Sequence, residues 1–309
     1  MNNQTRSLIE IHIAVFLFGF SGILNKLITL PAGVIVCLRT FIACFVLVVM
    51  IGLARKSLSV RKPREYAVFL FLGLLAVIHW TAFTHATQIA TVGVGMLTYC
   101  ISPLFVTFLE PVFFKERLKK QSVGIALITV CGILLIIPTF SLSNTITVGV
   151  LFSCLAAFAY ALLSVLNRKY VKQYSSIQLT FYQYAFASMI LLPVVVVQQP
   201  VFTFDSIIYL LYLGIFSTAV AHTYYINGMK HVKAHSASII QTLEPVYGVL
   251  LAAFVLYEQP TAREIIGGLI VLGSAVYITH SAKAVRSMTP VSTGPTNSER
   301  NLALVKERV

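Results

Sequence analysis

The sequence predicts an all-α membrane protein in which ten transmembrane helices form two inverted five-helix repeats. Three observations predict this class: the hydropathy, the spacing of the apolar runs and the distribution of positive charge. Of the 309 residues, 58% are apolar and 11% are charged, and the mean hydropathy is +0.86. A water-soluble domain of this length needs more charge to cover its surface, so a soluble globular protein is excluded.

Apolar runs recur along nearly the whole chain, and each is about long enough to cross a bilayer as a helix. The runs are continuous and do not alternate with polar residues, which excludes a transmembrane β-barrel. The first run is too long for a signal-peptide core, so we expect it to be retained as a span. The ten predicted spans are residues 8–30, 33–54, 66–86, 89–113, 121–137, 147–167, 177–197, 206–226, 234–256 and 263–280.

Positive charge alternates between the connections. The connections after spans 1, 3, 5 and 7 carry no Lys or Arg, and the connection after span 9 carries Arg263 alone. The remaining connections hold Arg55, Lys56, Arg61, Lys62, Arg64, Lys115, Arg117, Lys119, Lys120, Arg168, Lys169, Lys172, Lys230 and Lys233. This positive-inside pattern predicts a multi-pass protein of the bacterial inner membrane with both termini in the cytoplasm. The net charge of +13 is therefore assigned to membrane orientation, and nucleic acid is not an expected partner.

The chain contains an internal repeat at an offset of 142 residues. The matching pairs include Asn25 with Asn167, Lys26 with Arg168, Thr81 with Thr223, Pro103 with Pro245 and Glu116 with Glu258. The repeats span residues 8–137 and 147–280. Because each contains five spans, the second must enter the membrane inverted relative to the first. Residues 281–309 are polar and aperiodic, which predicts a mobile cytoplasmic tail.

Several motifs resemble those of a known family. The first half contains "FGFSGILNK", "CLRTF" and a fourth span with Pro103 that ends in Glu116, and the second half contains "AYALLSVLNRK" and "LEPVYGVLLAAFVLYEQPT". Over about residues 10–280 the chain resembles the EamA-type branch of the drug/metabolite transporter superfamily. The family often has Trp before the first-span glycine, whereas this chain has Phe18, and Tyr160 holds the matching place in the second half. The resemblance implies the fold and transport of a small molecule, but it does not identify the substrate.

The ninth span carries the strongest candidate for a site. Glu244 lies in the middle of the apolar stretch "HSASIIQTLEPVYGVLLAAFVLYE". A carboxylate at the bilayer centre costs about 2.5–3.5 kcal/mol on insertion scales, so Glu244 should face a polar cavity. Gln241 shares its helix face, and Pro245 predicts a kink beside it. We interpret Glu244 as a substrate-binding or coupling residue; the alternative is a structural ion pair with Lys26, Arg39 or a histidine.

Two cations and a set of rings complete the candidate site. Arg39 could bind a substrate carboxylate or tie helices together, and Lys26 could join the site or anchor the outer end of its span. Aromatic walls with a few polar tips are typical of sites for small amphipathic solutes. The ring candidates are His79, Trp80, Tyr99, Tyr182, His222 and Tyr225. Pro103 and Pro245 are the candidate hinges of spans 4 and 9.

Other chemistry is not indicated. The sequence has no H-E-x-x-H, G-x-S-x-G or P-loop motif, and its five cysteines lie in apolar runs without a C-x-x-C pair. No catalytic residue, metal site or cofactor is therefore predicted. Glu116 and Glu258 lie near span ends, and we interpret them as helix-end contacts within each half.

These observations predict a secondary active transporter that exports small metabolites by alternating access. Glu244 opposite Arg39 or Lys26 would complement a zwitterion, which favours an amino acid or a similar amine-carboxylate. Proton coupling through Glu244 is a further hypothesis. The resemblance also leaves open an importer of a vitamin or nucleoside-like metabolite such as riboflavin or S-adenosylmethionine. A membrane-embedded lipid-modifying enzyme and a non-transporting scaffold are the alternatives from other functional classes. Membrane lipid is expected to surround the helices.

Overall fold

The computed structural model describes residues 2–53, 55, 58–60, 63–114, 120–137 and 141–286. Every regular element in this part of the chain is a helix. Three sequence predictions fall wholly or partly outside the described residues: the contact of Glu116, part of the basic connections, and the mobile tail from residue 287 onward.

The first half of the chain forms helices at positions that follow its apolar runs. The bounds are α1 Asn3–Gly19, α2 Ser21–Leu27, α3 Ala32–Leu53, α4 Glu65–Ile89, α5 Val92–Tyr99, α6 Ser102–Phe114 and α7 Lys120–Ile136. Side-chain caps begin two of them: Asn2 accepts from Gln4 N–H ahead of α1, and Thr91 accepts from Val94 N–H ahead of α5.

The second half forms α8 Thr145–Tyr170, α9 Ser176–Gln198, α10 Phe204–Tyr212, a π-helix Leu213–Val220, α11 Ala221–Gly228, α12 Ala234–Gln241, α13 Leu243–Val255 and α14 Ala262–Arg286. One compact unit covers residues 1–279, and residues 280–286 continue α14.

Seven helical stretches in the described residues are long and apolar enough to cross a membrane by length and composition. They coincide with predicted spans 1–4 and 6–8. Two shorter apolar helices, Val123–Ile136 and Leu243–Val255, lie in predicted spans 5 and 9, and predicted span 10 lies within α14. The prediction of an all-helical, multi-pass membrane protein is confirmed, whereas the count of ten spans stays a prediction.

The first apolar stretch is interrupted at Phe20, between α1 and α2, and two more are broken near their middle, beside the predicted hinge prolines. Helix α5 ends at Tyr99 and α6 begins at Ser102, while α12 ends at Gln241 and α13 begins at Leu243. A proline follows each of these two breaks by one or a few residues, and its missing N–H leaves the carbonyl four residues earlier without its helical partner. The irregularity expected beside Pro245 is therefore present as a one-residue turn at Thr242, between α12 and α13.

Close packing brings the second broken stretch to the centre of the bundle. Helix α13 contacts both α1 and α5. A methyl group added at Gly248 would overlap the thioether of Met96 on α5, so a larger residue here would require the flexible Met96 side chain to move. The polar residues at the break in α12–α13 are thereby held deep between the two halves of the chain.

Candidate functional site

A buried cavity lies between the two helix breaks. Its volume is about 20 Å³, room for about one water molecule. The lining residues come from nine helices: Phe18, Ser21, Arg39, His79, Trp80, Phe83, Tyr99, Tyr160, His222, Gln241 and Glu244. In this conformation the site is filled almost entirely by its own side chains.

One acid and one strong base share this cavity without forming an ion pair. Arg39 is 2% exposed and Glu244 is 5% exposed. Within the described part of the chain, the only ion pairs with nitrogen–oxygen distances within 4.0 Å join Arg6 to Glu10 and Arg168 to Glu110. Burying an unpaired charge is costly unless polar groups, water or a ligand compensate it. In this conformation each of the two groups therefore depends on its neighbouring polar and aromatic side chains.

Glu244 lies in the first turn of α13, where the partial positive charge of the helix N-terminus favours a carboxylate. The Nε2 amide of Gln241 donates to Glu244 Oε2 at 3.1 Å and is also 3.4 Å from the hydroxyl oxygen of Tyr99. The Oε1 atom of Gln241 is buried and has no hydrogen-bond partner among the described residues. The break between α12 and α13 thus presents a carboxylate and a free amide acceptor side by side.

Arg39 is held by two neighbours. Its Nε–H donates to Thr218 Oγ1 at 2.9 Å, and its guanidinium carbon lies 4.7 Å from the centre of the Trp80 ring. A cation above an indole face is attracted by the ring's negative face. No described residue hydrogen-bonds the two terminal nitrogens of Arg39.

Aromatic rings form the remaining walls. The His79 ring lies 5.0 Å from Tyr160 and 5.5 Å from Tyr99, and the Trp80 ring lies 4.9 Å from His222. His79 Nδ1 is 3.1 Å from the carbonyl oxygen of Ala156. A carbonyl only accepts, so the contact places a proton on Nδ1.

The structure brings together most of the residues singled out in the sequence. The cavity is lined by seven of the ten predicted site residues: Arg39, His79, Trp80, Tyr99, His222, Gln241 and Glu244. Tyr225 lies just behind the wall, with its ring 6.3 Å from that of Tyr160. The predicted hinges Pro103 and Pro245 lie at the starts of α6 and α13 and do not line the cavity.

Two predicted site residues lie elsewhere. The ammonium group of Lys26 donates to the carbonyl oxygens of Gln88, at 3.0 Å, and Ala90, at the C-terminal end of α4. The hydroxyl of Tyr182 donates to the carbonyl of Leu58 at 2.7 Å. Lys26 thus has the anchoring contacts that were its alternative interpretation, and Tyr182 links α9 to the connection after α3.

Sequence reasoning left four lining residues off the candidate set: Phe18, Ser21, Phe83 and Tyr160. One available signal was the repeat. Phe18 and Tyr160 are 142 residues apart, and so are two other lining pairs, Trp80 with His222 and Tyr99 with Gln241. When repeats surround a shared site, a lining residue in one half marks its equivalent in the other.

The prediction that Glu258 makes a contact within its own half is wrong. Its Oε2 accepts the backbone N–H of Val92 at 2.8 Å, at the first turn of α5 in the other half. The contact forms because the end of α13 lies against the start of α5, whose unpaired N–H groups attract a carboxylate. Glu258 therefore links the two broken stretches at a helix end, away from the cavity.

Comparison with known proteins gives a consistent picture. The EamA-like transporter family matches the chain in two segments, residues 6–137 and 147–280. An uncharacterized transporter of Clostridium kluyveri is 24% identical over 252 residues, which cover 77% of this chain and 81% of that protein. An S-adenosylmethionine uptake transporter of Rickettsia bellii is 22% identical, over 81% of this chain and 84% of its own length.

A solved crystal structure also matches. It covers 91% of this chain and 98% of its own, with a TM-score of 0.67 at 20% sequence identity. At this identity the match concerns the fold alone.

Proposed function

This chain belongs to the EamA-like transporter family, and we propose that it is a secondary active transporter of small zwitterionic metabolites of the amino-acid type. The curated relatives named above are transporters, and the chain is a multi-pass helical membrane protein. No relative's name fixes the substrate, so the substrate class is inferred from the cavity.

The observation that carries the proposal is the unpaired acid and base in one closed cavity. An α-amino acid presents an ammonium and a carboxylate on one carbon, and Glu244 with Arg39 would complement both charges. The distance between the Arg39 and Glu244 side chains, which exceeds 4.0 Å, supports a ligand-binding role over a direct ion pair. The surrounding rings would then bind the remainder of the substrate by apolar contact.

Equivalent helix positions support a mechanism built on two inverted repeats. Helices α1, α5 and α7 begin at Asn3, Val92 and Lys120, each 142 residues before the start of α8, α12 or α14. The segments that the family matches, 6–137 and 147–280, divide the chain at the same point. We infer ten spans that rock about the shared cavity, giving alternating access with Pro103 and Pro245 beside the moving breaks.

The orientation of the chain in the membrane is inferred from the distribution of its Lys and Arg residues. The basic residues concentrate in alternate connections, which favours cytoplasmic termini in the inner, or plasma, membrane of a bacterium. Inverted repeats allow transport either way according to the gradients. Export is the direction we propose, because it is the one that the resemblance to metabolite exporters favours.

The deciding experiment is counterflow in proteoliposomes. Vesicles loaded with one unlabelled compound at a time receive a labelled mixture of amino acids, purines, vitamins and S-adenosylmethionine. We expect accumulation of one zwitterionic class, inhibited by the parent amino acid but not by its amide or its amine. Accumulation of uncharged vitamins or nucleosides alone would overturn the zwitterion proposal and assign selection to the rings.

Proton coupling through Glu244 is the second part of the proposal. A carboxylate in the cavity can carry a proton when the substrate is absent and release it when the substrate's ammonium binds. Glu244→Gln keeps the side-chain size and removes the titration. We expect the variant to retain exchange of the substrate at a reduced rate, because the amide oxygen can still accept from the substrate's ammonium, but to lose the response to an imposed pH gradient, measured in the same vesicles. An unchanged gradient response would contradict this role.

S-Adenosylmethionine uptake is the second candidate function. It is favoured by the names of relatives that are 22–24% identical to this chain, including those of Rickettsia bellii and Rickettsia conorii. Its methionine moiety offers the same zwitterion, and its adenine could stack on the rings. Counterflow distinguishes the two candidates directly, because methionine competes in both cases whereas adenosine competes only if the adenine is bound.

A further inference from the structure

We propose that Thr218 is a positioning residue, which fixes the Arg39 guanidinium so that its terminal nitrogens are available to a substrate carboxylate. The inference rests on the proposed function and adds a residue that does not itself line the cavity. Three features of the structure support it: the local helix type, a close backbone approach and the division of the guanidinium's hydrogen bonds.

The first feature is the π-helix. Residues Leu213–Val220 form this wider turn between α10 and α11. Thr218 is buried within it, and its hydroxyl donates to the carbonyl oxygen of Leu213, five residues earlier, at 2.6 Å. In an ordinary α-helix a threonine hydroxyl bonds the carbonyl three or four residues earlier. Its single proton is therefore committed to Leu213, so towards Arg39 the oxygen can only accept.

The second feature is the approach of the π-helix to α3. A methyl group added at Gly214 would lie 2.6 Å from Ile42 Cβ and 3.1 Å from the carbonyl oxygen of Arg39. Only glycine allows the two backbones to come this close. The contact sets the π-helix directly beside the residue whose side chain Thr218 holds.

The third feature is how the guanidinium is shared. Thr218 Oγ1 accepts the Nε–H at 2.9 Å, and the guanidinium carbon lies over the Trp80 ring, 4.7 Å from its centre. These two contacts restrict how the guanidinium can move. The two terminal nitrogens of Arg39 then remain available to a substrate carboxylate. Arginine binds a carboxylate through these two atoms with two parallel hydrogen bonds.

The test uses a reporter that the protein already contains. Trp80 is the single tryptophan of the chain, so its fluorescence reports on the guanidinium above it without labelling. Thr218→Val keeps the side-chain volume and removes the hydroxyl, while Thr218→Ser keeps the hydroxyl. The matched control is Ser217→Ala, which removes the neighbouring hydroxyl that donates to Leu17 O at 3.0 Å.

We expect Thr218→Val to shift the Trp80 emission and to raise the KM for the zwitterion about tenfold with little change in kcat, since a hydrogen bond to a charged group is lost. Thr218→Ser should restore both values, and Ser217→Ala should leave both unchanged. Gel filtration and thermal unfolding establish that each variant is folded.

Two results would overturn the inference. One is a Thr218→Val protein with wild-type emission and KM; the other is a Thr218→Ser protein as impaired as Thr218→Val, which would mean that packing and not the hydroxyl matters. If the wild-type protein moves no zwitterion, the proposed function fails. The emission series still decides whether Thr218 orients Arg39, so the two failures are distinguishable.

Discussion

The two broken stretches have nearly the same backbone and different chemistry. The first, residues 92–114, stops at Tyr99 and resumes at Ser102; the second, residues 234–255, stops at Gln241 and resumes at Leu243. At the offset of 142 residues the equivalent of Glu244 is Ser102, and both are buried, at 5% and 3% exposure. The shared prolines thus explain the shared break, while one residue gives the second break its charge. The breaks and the polarity of the site are separable properties.

Among the predicted variants, removal of the Glu244 carboxylate should have the largest effect on transport. We expect Glu244→Ala to lower the counterflow rate of the zwitterion about a hundredfold, because the substrate's ammonium loses both the charge and the hydrogen-bond acceptor that would hold it. The matched change Ser102→Ala should alter the rate less than twofold. The measurement is initial counterflow under identical loading. Equal losses in the two variants would mean that the break itself, and not its charge, is what matters.

Replacing Pro103 and Pro245 tests the helix break that the two stretches share. In Pro245→Ala the new N–H can bond the carbonyl of Gln241, and in Pro103→Ala it can bond that of Tyr99, so each break can close into a continuous helix. We expect each variant to lower kcat about tenfold with a KM within twofold of wild type, because opening of the site becomes harder. Saturation kinetics in proteoliposomes measure both constants. A wild-type kcat in both variants would contradict the hinge role.

The smallest effects are expected at Tyr99 and Gln241, the equivalent residues that end α5 and α12. Gln241→Leu loses the 3.1 Å bond to the Glu244 carboxylate, whereas Tyr99→Phe loses only the longer, 3.4 Å contact to Gln241. We expect the KM to rise about fivefold for the first variant and about twofold for the second, because bonds to charged groups are worth more than neutral ones. A larger effect of Tyr99→Phe would indicate that its hydroxyl meets the substrate directly.

Much of the fold followed from the sequence because the bilayer imposes it. A segment in lipid must satisfy its own backbone, so continuous apolar runs predicted helices, and their positions match α3, α4 and α9 closely. The same constraint predicted that Arg39 and Glu244 would face the interior, since either would be costly against lipid. Their presence in one cavity is consistent with that reasoning.

The sequence did not predict which face of a helix points into the protein, nor the position of the π-helix. In α9 Tyr184 lies 4.9 Å from Trp80, while Tyr182, two residues earlier, stacks on Phe69 at 4.7 Å. Lipid-facing and protein-facing residues are both apolar, so periodicity did not distinguish these two rings. The π-helix around Thr218 has no proline to announce it, and its role depends on the close approach at Gly214, which only the folded chain reveals.

The small volume of the cavity has a consequence for how affinity is measured. A space of about 20 Å³ admits no amino acid, so a molecule in this conformation must first open before it binds. The apparent dissociation constant then equals the intrinsic one divided by the fraction of open molecules. A variant that opens more readily would bind more tightly at equilibrium without one new contact to the substrate. Gains in affinity from mutagenesis therefore need a measurement of the conformational equilibrium before they are assigned to recognition.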